Sequence, residues 1–157
     1  MPKPKFSLKE KDPRLLSLVQ ESDKKTLAIW AKACAERVLP YYKDSFPTDP
    51  RPQQALDALQ DWIDTGKFSM KIIRGTALAA HAAAREVGED SPARSAARSA
   101  GQAVSTTHVK EHALAAANYA LQAIFRDNHE NNPNKAVSTE REWQHQYLDN
   151  LQKIERT

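Results

Sequence analysis

Seventeen of the chain's 24 alanines fall between residues 77 and 123. Alanine is the strongest helix former, because ordering it costs no side-chain entropy. Within that stretch the alanines recur at steps of three and four, as in Ala77, Ala80, Ala84 and again in Ala93, Ala96, Ala97, Ala100. That is the spacing of one helix face. Only four glycines serve 157 residues and β-branched residues are few, so an all-β fold is excluded. The predicted class is all-α: a compact bundle, or a short array of antiparallel helix pairs, with about six to seven helices.

The length suits a single domain, predicted over residues 12–157 behind a flexible basic arm over residues 1–11. A domain of this size buries roughly two-thirds of its unfolded surface and needs no disulfide or metal to fold. The single cysteine, Cys34, has no internal partner and falls on an apolar helix stripe, where a buried thiol is expected rather than a nucleophile. No apolar run approaches the roughly 20 residues of a membrane helix. The basic N-terminus is not followed by an apolar segment, so a cytoplasmic location and no signal peptide are expected. A net charge of +3 is too weak to call for nucleic acid, and no stacking-aromatic pattern supports it.

Along the chain, Asp12-Pro13 reads as a cap followed by proline at the first helical position. Ser22 or Asp23 caps a second helix bearing Leu27, Trp30, Ala31, Cys34, Ala35 and Val38, which Pro40 is predicted to end. Asp49-Pro50 starts a third helix with Leu59 and Trp62 inside and Asp57, Asp61 and Asp64 outside, stopped by Gly66. Ser69 caps a fourth, ended near Gly88, and Ser91-Pro92 opens a fifth. Thr106-Thr107 is the predicted cap of a sixth helix containing Leu114, Leu121 and Phe125. Thr139 with Glu142 fits a capping box for the last, after a polar loop holding Asn132-Pro133. Trp30, Trp62, Phe125 and Trp143 are expected at the periphery, around an alanine-packed interior.

Polar residues with chemical potential stand out against the alanines. Arg74, His81 and Arg85 share a stripe of the fourth helix, and Arg94, Arg98 and Gln102 one of the fifth. Guanidinium groups there suit phosphate, carboxylate or an acidic protein surface. The alternative is a solvated face with local ion pairs to Glu86, Glu89 and Asp90. His108 and His112 are four residues apart. If the sixth helix begins early enough they share a face, as two metal ligands would, with His81 as third ligand. No nucleophile elbow, phosphate-binding glycine loop or nucleotide fingerprint is present.

The run Arg74…Ala80-His81-Ala82-Ala83-Ala84-Arg85 is followed by Ala100-Gly101-Gln102-Ala103-Val104 and Thr107-His108-Val109. After these comes His112-Ala113-Leu114-Ala115-Ala116-Ala117-Asn118-Tyr119-Ala120. Together with Arg51-Pro52, these segments resemble a bacterial immunity-protein family, the immunity-5-like family of polymorphic toxin systems, over roughly residues 27–126. The arm and the last helix lie outside that resemblance. It implies an all-helical protein with no cofactor and no chemistry of its own. Such a protein binds a cognate toxin and occludes its active site.

Two readings follow. In the first, a toxin-neutralising protein uses Arg74, His81, Arg85, Arg94, Arg98, Gln102, His108, His112 and Tyr119 against a partner with an acidic surface. Tyr41, Tyr42 or Trp143 would supply aromatic anchors. In the second, His81, Arg85, His108 and His112 converge on a small-ligand or metal site, with Gln102 and Tyr119 in support.

Overall fold

The computed structural model describes Phe6, Ser7 and residues 12–156, and among these it is all-α. Seven helices follow in order: α1 (Pro13–Glu21), α2 (Lys24–Ser45), α3 (Arg51–Thr65), α4 (Met70–Glu86), α5 (Pro92–Ser105), α6 (His112–Asp127) and α7 (Pro133–Arg156). Apart from Phe6 and Ser7, the expected basic arm lies outside the described residues. Phe6 packs against Phe125, with ring centroids 5.6 Å apart.

The caps explain most boundaries. Asp12, Asp23, Ser69 and Ser91 each accept a hydrogen bond from a backbone N–H of the helix that follows. Each satisfies one of the donors that a helix start leaves without a partner. Asp49 does this for α3 from one residue further out. It accepts from the Arg51 N–H (3.0 Å) and grips the Arg51 guanidinium (2.7 Å), while Tyr42 donates its hydroxyl to the same carboxylate. Arg51 holds the Asp49 carboxyl well below the usual carboxylate range, with the Tyr42 bond assisting and burial opposing. Gly66, in the left-handed region at φ 69°, ends α3.

Three expected boundaries differ. Helix α2 does not end at Pro40 but runs through it to Ser45. The proline ring is exposed, while Val38, Leu39 and Tyr42 on the opposite face are buried and hold the helix together. Helix α7 does not wait for Thr139. It starts at Pro133, with the Asn132 side chain accepting from the Lys135 N–H, and the Thr139 hydroxyl bonds back to the Lys135 carbonyl. Asn132-Pro133 is thus a third cap-proline start of the Asp12-Pro13 and Ser91-Pro92 kind. Nor do Thr106 and Thr107 cap α6. Both are buried, and Thr107 donates to the Val104 carbonyl, closing α5 instead.

Helix α5 lies at the centre, against α2, α3, α4 and α6. Ala96, Ala97, Ala100 and Ala103 are fully buried, as are Ser95 and Ser99. Such small side chains let backbones approach closely, and the Ser99 hydroxyl bonds directly to the Ala116 carbonyl of α6 (2.8 Å). Large residues pack elsewhere. Trp30 is not peripheral as expected: it is fully buried and donates its indole N–H to the Gln144 carbonyl of α7 (2.9 Å). Glu140, also buried, takes a two-point bond from Arg37 (2.6 and 2.8 Å), and that guanidinium lies 3.9 Å over the Trp143 ring. Together these contacts clamp α7 onto α2. No described helix is long and apolar enough to cross a membrane.

Candidate functional site

The half-buried outer stripe of α5 lies between its neighbours α4 and α6, and this strip of surface, flanked by the two helices, is the groove. The floor carries Arg94, Arg98 and Gln102. The α4 wall carries Arg74, His81 and Arg85, and the α6 wall carries His112, Tyr119 and Arg126. The groove exists because α5 shows alanine and serine to the interior and keeps its long residues four apart on the outer side.

Two arginines of the groove are oriented by bonds to neutral groups. The Arg94 Nε donates to the Ala84 carbonyl (3.2 Å), and Arg126 donates to the Ser95 hydroxyl (2.9 Å). Both reach the same Asp90 oxygen, at 3.0 and 3.4 Å. Glu86, the other expected local partner, is taken by Arg51 of α3. Among the described residues, no carboxylate pairs with Arg74, Arg85 or Arg98. The local-pairing alternative therefore holds for Arg94 but not for the rest of the stripes.

His81 is half-buried and packs on Gly101, where the absent side chain makes room for its ring. Burial lowers its pKa, and the positive charges of Arg98 and Arg85 lower it further, with His112 adding to them. The imidazole is thus held neutral inside a cationic surrounding. His112 is fixed by Gln102, whose Oε1 lies 2.7 Å from Nδ1. Since that oxygen only accepts, Nδ1 carries the proton of this bond. Gln102 thus orients His112, and the charge of Arg126 is coupled to Tyr119. Arg126 and Asp90 complete the groove, and the sequence reading did not select Arg126. Its position four residues after Gln122, facing Ser95, was the available signal.

His81, His108 and His112 do come to one place. They line a cleft of about 340 Å³ with Met70, Ile73 and Leu78. They do not share a helix face in the way the spacing suggested, because α6 begins at His112 and leaves His108 in the preceding turn. His108 is exposed and stacks on Phe68 at 6.2 Å. Among the described residues, no three His, Cys, Asp or Glu side chains are grouped so as to hold a metal ion. Asp57 and Asp64 instead accept from Gln53 and Gln60 one turn away. Cys34 is fully buried, and burial pushes its thiol pKa well up, so it is not a thiolate nucleophile.

The expected aromatic anchors are otherwise engaged. Tyr42 is buried against Asp49, Tyr41 bonds to Asp127, and Trp143 lies under Arg37. Exposed apolar side chains gather instead around the histidine cleft: Phe68, Met70, Leu78 and Val109.

No curated protein and no solved structure shows significant similarity to the chain. A family's sequence model does match, and it extends further than residues 27–126, from within α1 to within α7, so the last helix belongs to the shared unit. Over residues 17–151 the chain matches, and so belongs to, the family described as Imm-5 like putative immunity protein.

Proposed function

We propose that the chain is a non-catalytic immunity protein that binds a cognate toxin through the α4–α5–α6 groove and occludes the toxin's active site. One observation carries the choice of surface. Arg85, Arg94, Arg98 and Arg126 line one face with Asp90 as the only carboxylate paired there among the described residues. Clustered charge of one sign is repulsive within the monomer and becomes favourable when an acidic surface covers it. Arginine also suits this role, because its planar donors meet carboxylates two at a time.

The test uses the toxin encoded beside this chain's gene. Wild-type chain is expected to form a complex with it and to restore growth of cells expressing it. Arg98→Glu leaves the interior untouched. It is expected to weaken the complex by about 100-fold, as loss and reversal of a central interfacial charge does. It should also flatten the salt dependence of association. Absence of both complex and rescue with the wild-type chain would refute the reading.

A further inference from the structure

The groove does not end at its arginines. At the end formed by the start of α4 and the α5–α6 turn it opens into the cleft of about 340 Å³. That volume is at the small end of the ~300–1,000 Å³ typical of ligand pockets, and it can hold one bulky side chain. Its walls are largely apolar, and three of the exposed large apolar side chains stand around it. Leu78 is 56% exposed, Phe68 46% and Met70 43%. Folding of the monomer gives no reason for three large apolar side chains to stand in water around one concavity. An interface does, because anchors buried in such concavities dominate binding energy.

The cleft and the cationic strip meet at shared side chains. His81 lines the cleft and also feels the charges of Arg98 and Arg85. His112 lines the cleft and is held by Gln102 from the groove floor. Arg74 sits on the cleft's own wall. An occupant must therefore be apolar at one point and negatively charged immediately beside it.

We infer that this cleft is the anchor site of the partner-binding face: it takes a single bulky apolar side chain from an acidic protein segment. The flanking carboxylates of that segment lie along Arg74, Arg85 and Arg98. The His112 and His81 rings border the anchor, and a chain entering from the Phe68 side leads into the groove. This deepens the toxin-binding reading. It rests on that reading for the identity of the partner, and on the cleft and its charges for the partner's chemistry.

Two measurements separate the claims. The first is affinity for the toxin of the wild-type chain, Leu78→Ala and Leu78→Asp. Leu78 is exposed, so both variants are expected to keep the wild-type circular-dichroism spectrum and melting temperature. Loss of the anchor contact is expected to weaken binding about tenfold for alanine, and further for aspartate, which also repels the acidic segment. The second uses two probe peptides of equal charge, acetyl-Asp-Glu-Phe-Glu-Asp-amide and the same peptide with alanine for phenylalanine, followed by NMR. The phenylalanine peptide is expected to bind about tenfold more tightly and to shift the Leu78 methyl and His108 and His112 ring signals.

If the toxin binds and the Leu78 variants bind equally well, the anchor site is overturned while the toxin reading stands. If no toxin complex forms but the phenylalanine peptide is preferred at the cleft, the anchor site stands and the toxin reading fails. Equal binding of the two peptides overturns the anchor site. So does concentration-dependent self-association of the wild-type chain that Leu78→Asp abolishes, which assigns the cleft to a second copy. A co-purifying small molecule that native mass spectrometry finds on the wild type and not on Leu78→Asp does the same.

Discussion

Replacing Gly101 by alanine sets two known effects against each other at one atom. Alanine in a helix interior is favoured over glycine by about 1 kcal/mol. At Gly101, however, the new methyl would lie 2.7 Å from His81 Nε2, 2.8 Å from Cε1 and 3.0 Å from Cδ2. Two of these ring contacts are closer than packed atoms tolerate and the third is tight, so the ring must shift. Overpacking of this kind costs about 1–3 kcal/mol. The expected net result for Gly101→Ala is a loss of about 1 kcal/mol, a fall of about 2–4 °C in melting temperature for a chain of this length. In a His81→Ala background the obstacle is gone, and the same substitution is expected to stabilise by about 1 kcal/mol. The two sites thus couple by about 2 kcal/mol, measured by thermal or urea unfolding of the four chains of the cycle. Gly75→Ala is the control. No atom lies within 4 Å of a methyl there, so it is expected to raise the melting temperature whether or not His81 is present. The reasoning is refuted if Gly101→Ala stabilises the wild-type chain as much as it stabilises His81→Ala.

Three further outcomes follow from the same contacts. Glu140→Gln halves the buried two-point bond and leaves Arg37 without its countercharge, so urea unfolding is expected to show a loss of about 2 kcal/mol, tempered by the partial exposure of Arg37. Pro40→Ala restores a backbone donor inside α2. The gain is reduced by the greater freedom of the unfolded chain, and a net stabilisation of about 1–2 kcal/mol is expected in the same assay. For His81, the pKa in the fold is below the unfolded value of about 6.5. The unfolded chain therefore binds this proton first as the pH falls. Stability associated with His81 is full above about pH 6.5 and is lost below it, down to the folded pKa. His81→Gln is expected to lose less stability than the wild type between pH 7.5 and 5.5. An identical loss in the two chains would contradict this.

The helices were legible where a local signal and the interior agreed. Asp12-Pro13, Ser69, Gly66 and Ser91-Pro92 act as their residue types require, because capping is settled within a few residues of chain. Pro40 misled for the opposite reason: the buried face of α2, packed against partners distant in sequence, carries the helix past the proline. Thr139 misled because a second local signal, Asn132 before Pro133, starts α7 earlier in the chain. The histidine cleft was half legible. Four-residue spacing placed His81 with Arg74 and Arg85, and Gln102 with Arg94 and Arg98; the bond from Gln102 to His112 crosses between helices. That His108 would reach the cleft from a turn, beside Phe68, depends on how two helices are joined, which no periodicity encodes. Arg126 was missed because its role comes from Asp90 in the α4–α5 loop and Ser95 on α5.

The two sides of α5 answer to different demands, and this has a consequence for how such chains diversify. Ala96, Ala97, Ala100 and Ala103 face the interior and admit almost no replacement, since any larger group separates packed backbones. Arg98 and Gln102, on the same helix, are only half-buried. A lineage can therefore rewrite the outer side one residue at a time, tracking a changing adversary, with each step nearly neutral for folding. The alanine-built centre is what makes the surface free to change.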